Sequence, residues 1–140
     1  MNLMQNFFPL SRNPYEDIAK KMGIDREEVI SRLKKLCDSG IIRKIGAILS
    51  PKKIGFESTL AAVAVPLGKI EEVAEIINEY QGVTHNYLRE GSPNIWFTLI
   101  EPNQQVLERN LNEIESKINF KIIKLPAKKT FKIGVKFDIK

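Results

Sequence analysis

Apolar positions recur along this chain in two periods, one helical and one of strands, and the change from one to the other divides it. Asn13-Pro14 opens a helix over about 13–22 that Gly23 stops. Asp25 is placed as an N-cap with Glu28 three residues on, and Val29, Leu33 and Leu36 carry an apolar stripe to Ser39-Gly40. Helix, tight turn, helix is the helix-turn-helix pattern. Residues 1–8 can form a short helix before Pro9, 43–49 read as a strand and 50–55 as a turn, which gives the winged version. From Ser58 the pattern changes. A strand over 58–65 precedes a helix over about 69–80 with Ile70, Val73, Ile76 and Ile77 inward, then a hairpin, a helix over about 103–117 burying Leu107, Leu111 and Ile114, and a strand over 120–125. That order is βαββαβ, a ferredoxin-like sandwich with two helices on one face of an antiparallel sheet. Residues 130–139 alternate like one more strand returning toward the first domain. The fold class is α+β, with a winged helix-turn-helix over 1–56 and a ferredoxin-like domain over 57–140.

The hairpin, residues 81–100, holds the chain's one histidine and one tryptophan. Side-chain alternation puts His85, Tyr87 and Arg89 on one face of its first strand, and Thr84, Asn86 and Leu88 on the other. With Glu90, Gly91, Ser92 and Pro93 as the loop, Arg89 opposes Asn94, Tyr87 opposes Trp96 and His85 opposes Thr98, while Leu88 meets Ile95 and Asn86 meets Phe97. Leu88, Ile95, Phe97 and Leu99 then suit a core under helices. The opposite face presents an imidazole, a phenol, a guanidinium and an indole side by side, an arrangement suited to something flat and acidic. The plainer alternative is an amphipathic hairpin whose wet side carries no function.

Composition adjusts this picture only in places. At 140 residues with 43% hydrophobic content the chain can bury a real core. No apolar run approaches the roughly 20 residues needed to span a bilayer, and the start MNLMQNFFPLSRN lacks a signal-peptide pattern, so a soluble cytoplasmic protein is expected. One cysteine, Cys37, excludes an intramolecular disulfide; its helical spacing with Val29, Leu33 and Leu36 suggests core packing. The net charge of +5 favours anionic partners, whether phosphates, a surface or a small polycarboxylate. DNA is the least favoured of these, because the end of the second helix that would enter the major groove carries Asp25, Glu27 and Glu28. Arg26, Arg32, Lys34 and Lys35 could still touch backbone phosphates.

A winged helix-turn-helix joined to a ferredoxin-like domain resembles the Lrp/AsnC family, in which the C-terminal domain dimerises and often binds a small effector. FFPL at 7–10, GIIRKIGAI at 40–48, KKIGFEST at 52–59, GVTHNYLRE at 82–90 followed by NIWFTLI at 94–100, and LPAKKTFKIGVKFDI at 125–139 together resemble siroheme decarboxylase subunits, relatives of the haem d1 biosynthesis proteins. The similarity spans almost the whole chain, and the HNYLR and NxWFTL pair is its most specific part. It implies removal of CO2 from the C12 and C18 acetate arms of siroheme to give 12,18-didecarboxysiroheme, by a carboxy-lyase that works with a paralogous subunit as a heterodimer. One departure stands out: the family pattern HNYLRxHxYNxWFTL has a second histidine that falls on Gly91, and an aromatic that falls on Pro93.

On that resemblance His85 is the expected proton donor, with ligation of the siroheme iron as its other role. Arg89, Arg43 and Lys132 are expected to hold carboxylates, and Tyr87 and Trp96 to flank the macrocycle. No redox or organic cofactor is expected, since siroheme is the substrate and brings its own iron. The competing reading is a DNA-binding regulator of the Lrp/AsnC type that senses a small molecule, and a third is a subunit that only shapes its partner's site.

Overall fold

The computed structural model describes residues 4–5, 8–132, 134 and 137. It divides into two compact units, Met1–Ile48 with Lys132–Lys140, and Leu49–Phe131. The first unit holds helices α1 (Pro14–Met22) and α2 (Arg26–Asp38). Pro14 starts α1 where its missing N–H costs nothing, and Gly23, at φ 65°, ends it in the left-handed conformation that glycine accepts readily. The Asp25 carboxylate caps α2 by accepting the Glu28 N–H at 2.7 Å. Ile18, Ala19, Val29 and Leu33 form a small core, with Tyr15, Ile24, Ile42 and Ile45 packed around it.

Two expectations fail in this unit. Residues 43–49 form no strand, because among the described residues no other strand lies beside them to complete a ladder; Ile42 and Ile45 pack against the helices from an irregular segment instead. Among the described residues the wing is therefore not present as a sheet. Cys37 is exposed: it continues the stripe of Val29 and Leu33 but lies one turn beyond Leu33, the last buried residue of α2. The expected N-terminal helix and last strand lie partly outside the described residues. Thr130, Phe131, Lys132, Gly134 and Phe137 are not in a strand. Phe137 nevertheless exchanges two hydrogen bonds with the Gln5 amide, each 2.8 Å, which ties the end of the chain to its beginning.

The second unit is built from β1 (Glu57–Val63), α3 (Ile70–Asn78), β2 (Val83–Leu88), β3 (Ile95–Glu101), α4 (Gln104–Ile118) and β4 (Ile122–Leu125). The strands form one antiparallel sheet in the order β2-β3-β1-β4. This is the expected ferredoxin-like sandwich. The expected division at residue 56 falls inside this unit, because the single-turn helix Pro51–Ile54 is joined to the start of β1 by the bond from Phe56 N–H to the Pro51 carbonyl. Strand periodicity sends Ala61, Val63, Ile95, Phe97 and Leu99 under the helices, where they meet Val73 and Ile77 of α3 and Leu107, Leu111 and Ile114 of α4. Gly82 sits against the end of β3, where a Cβ would lie 2.6 Å from the Ile100 carbonyl oxygen, so no larger residue fits. The helices cover one face of the sheet and leave the other open.

Candidate functional site

The hairpin between β2 and β3 has the register that its loop length requires: His85 pairs with Thr98, Asn86 with Phe97, Tyr87 with Trp96 and Leu88 with Ile95. The Arg89 N–H donates to the Asn94 carbonyl at 2.7 Å and closes the turn. On the open face the His85 and Tyr87 rings lie 6.0 Å apart between centroids, tilted by 32°. The Arg89 guanidinium carbon stands 6.0 Å from the centre of the Trp96 ring, a cation–π distance. Trp96 is half-buried and donates its indole N–H to the Pro93 carbonyl at 3.0 Å, which ties the ring to the turn. His85, Tyr87, Arg89 and Trp96 are thus brought onto one surface. Arg43 and Lys132 belong to the other unit, where both are exposed.

Two motif residues that look like site candidates are structural. The Asn94 side chain, nearly buried, accepts the Val65 N–H at 2.9 Å and donates to the Val65 carbonyl at 2.8 Å, replacing a strand partner where β1 has ended. Asn86 points under α3 and donates to the Asn78 side chain at 3.0 Å and the Ala74 carbonyl at 3.3 Å. Leu88 is a correction, being 61% exposed rather than in the core, because the helical cover stops short of the turn end of this edge strand.

Strict alternation places Thr84 on the face away from His85, and its part in the hairpin is different. It has no partner on β3: Val83 pairs with Leu99 and His85 with Thr98, which makes Thr84 a β-bulge. Val83 consequently packs toward the core while His85, two residues on, faces the open side. An apolar Val83 of the same parity as His85 was the available signal, since strict alternation cannot serve both.

Beyond the hairpin, the open face is apolar. Leu60 and Ala62 of β1 pair with Leu125 and Ile123 of β4 and with Thr98 and Trp96 of β3, so these side chains share a face. Leu60, Ile123 and Leu125 are 41%, 46% and 40% exposed. A concavity of about 130 Å³ lies elsewhere, bordered by Ser58, Gln104, Leu107, Glu108 and Lys124, and has room for a few waters only. Among the described residues no group of three or more His, Cys, Asp or Glu side chains is placed to hold a metal ion, and no helix is long and apolar enough to cross a membrane.

Comparison with known proteins gives the same two-part division. Residues 1–43 match the model of the siroheme decarboxylase NirDL-like HTH domain, and residues 53–132 that of the AsnC-like ligand binding domain. The chain is 42% identical over 137 residues to the siroheme decarboxylase alpha subunit of Desulfovibrio desulfuricans, covering 98% of this chain and 79% of that one. It superposes at a TM-score of 0.74 and 32% identity on the siroheme decarboxylase NirDL crystallised with an iron-uroporphyrin III analogue, over 88% of this chain but only 41% of that longer chain. The AsnC protein of E. coli matches at a TM-score of 0.75 but 20% identity, a likeness of fold alone.

Proposed function

The chain belongs to the siroheme decarboxylase family, and from that premise we propose that it is a siroheme decarboxylase subunit, a cytoplasmic carboxy-lyase that takes CO2 from the C12 and C18 acetate arms of siroheme to give 12,18-didecarboxysiroheme. The observation that carries this reading is the open-face cluster of His85, Tyr87, Arg89 and Trp96 in a chain so similar to a named subunit. Breaking the bond to the carboxyl carbon releases CO2 and leaves a carbanion on the methylene, whose charge the conjugated ring can take up. His85 supplies the proton that converts the methylene to a methyl group. Arg89 does not belong on the departing carboxylate, because an ion pair there is stronger before the reaction than in its transition state. It holds one of the carboxylates that stay, and so orients the ring. Tyr87 and Trp96 offer faces to the flat macrocycle. Siroheme is substrate in this scheme and its iron enters with it.

A flat open surface does not exclude water from such a reaction. We assign its cover to a paralogous subunit lying over the aliphatic half of the sheet, Leu60, Ile123 and Leu125, so that substrate is enclosed between the two. Gly91, where the family pattern has histidine, fits a pair in which the partner supplies a second imidazole.

The regulator reading draws no support from the groove-facing end of α2. There Asp25 caps the helix, Glu28 is paired with Arg32, and Glu27 lies 3.4 Å from Arg26. Anaerobic incubation with siroheme, of the chain alone and with its co-encoded relative, is expected to yield a product lighter by two CO2. Unchanged siroheme in both mixtures, together with tight, salt-sensitive binding to duplex DNA, would overturn the assignment.

A further inference from the structure

In a regular strand the side chains of adjacent residues point to opposite faces, so a threonine hydroxyl does not reach the ring of the histidine that follows it. Here it does. The bulge at Thr84 brings its Oγ1 to 3.0 Å from His85 Nδ1. Bulges characteristically re-aim a side chain, and this one does two things at once: it turns His85 out of the core parity of Val83, and it supplies a hydrogen-bond partner to one of the two imidazole nitrogens. The partner taken by one ring nitrogen decides which nitrogen is left to act.

We infer that Thr84 is a positioning residue for His85: its Oγ1 accepts the Nδ1 proton, so that Nε2 is the nitrogen presented to whatever lies on the open face. This rests on the decarboxylase reading for its chemistry, though not for its geometry. A hydroxyl accepting from Nδ1–H suits a proton donor, since both nitrogens of the imidazolium carry hydrogen and Nδ1–H then has a fixed acceptor while Nε2–H faces the substrate carbon. When Nε2 gives up its proton to that carbon, the neutral ring left behind is the Nδ1–H tautomer, which the same hydrogen bond holds. The water that next reprotonates Nε2 finds the ring in place. Without Thr84 the ring is free to turn about its own axis and offer either nitrogen.

Because His85 is the chain's one histidine, a single set of imidazole nitrogen signals reports on it. Long-range 1H–15N spectra of the protein, taken without substrate at alkaline pH, are expected to show the Nδ1–H tautomer in the wild type and in Thr84→Ser, and its loss in Thr84→Ala. In decarboxylation with the paralogous subunit present, Thr84→Ala is expected to lower kcat about tenfold with KM little changed, a part of the ~10²–10⁴-fold that a general acid contributes, and Thr84→Ser to restore it. A wild-type spectrum with the proton on Nε2, or one that Thr84→Ala leaves alone, overturns the inference. So does an altered tautomer with unchanged kcat, which would leave the contact without a role. A wild-type protein that releases no CO2 with its partner counts against the decarboxylase reading instead, and the spectra alone then decide the contact.

Discussion

His85 and Asn94 lie at either end of one short motif, and their replacement should have opposite signatures. Substrate affinity on a flat aromatic surface comes from many contacts, whereas proton delivery comes from one group. His85→Ala is therefore expected to lower siroheme turnover by roughly 10²–10⁴-fold while the dissociation constant for siroheme shifts little. Equal turnover in a single-turnover assay removes the imidazole from the mechanism, and a lost binding isotherm with normal residual chemistry makes it an anchor. Asn94 works through the backbone. Its amide satisfies both the N–H and the C=O of Val65 at a buried position, so Asn94→Ala leaves two groups unpaired at roughly 1–3 kcal/mol each. The urea midpoint of the second unit should fall accordingly, and an unchanged midpoint would mean that water replaces the amide. Sequence alone placed both asparagines of the motif correctly in register and gave them no role, because an asparagine that clamps a backbone and one that meets a ligand look alike until the neighbouring strand end is known.

At the scale of elements, the C-terminal strand is held by a side chain from the helix before it. Glu115 of α4 accepts the Ile122 N–H at 2.7 Å and pairs with Lys121 at 2.9 Å. The backbone N–H first, and the Lys121 ammonium second, hold this carboxyl below its usual range. A carboxyl that is more acidic folded than unfolded stabilises fully above its ordinary value of about 4.3, and that contribution drains away as pH falls through the folded value. Wild type is thus expected to exceed Glu115→Gln in urea midpoint near neutrality, and the gap to close as pH falls below the ordinary carboxyl range. A gap that does not change with pH would assign the effect to packing. Nothing in the sequence announces this bond, since Glu115 reads as one more solvated residue on the outer face of α4. The hairpin was more legible, because a four-residue loop between two alternating runs leaves one register, and His85, Tyr87 and Trp96 fell where that register puts them. Its bulge was not, as an extra residue leaves the pairing toward the turn unchanged and alters only what lies beyond it. Among the described residues the wing has no strand at 43–49 for a related reason: an apolar segment there can be extended, while a strand also needs a neighbour, which local pattern does not supply.

On the scale of the whole molecule, the proposed pairing turns on the sheet's uncovered side. The βαββαβ order puts both helices on one face, so Leu60, Ile123 and Leu125 are left 40–46% exposed beside the aromatic cluster rather than scattered over the surface. A row of half-exposed aliphatic side chains on adjoining strands is poorly suited to water and well suited to another sheet. If the paralogous subunit covers this row, a charge placed there must be desolvated on pairing, which costs far more than any loss of strand propensity within the chain. Leu60→Lys and Ile123→Lys, separately, are therefore expected to leave the thermal unfolding of the isolated chain within a few degrees of wild type, since both side chains already touch solvent. Mixed with the relative, each variant should sediment as free subunits where wild type forms the pair, and decarboxylation should fall in proportion to the pair lost. Retention of the complex by both variants would move the interface off this face, and with it the enclosure proposed for the substrate; the hairpin cluster would then need its cover from elsewhere in the assembly.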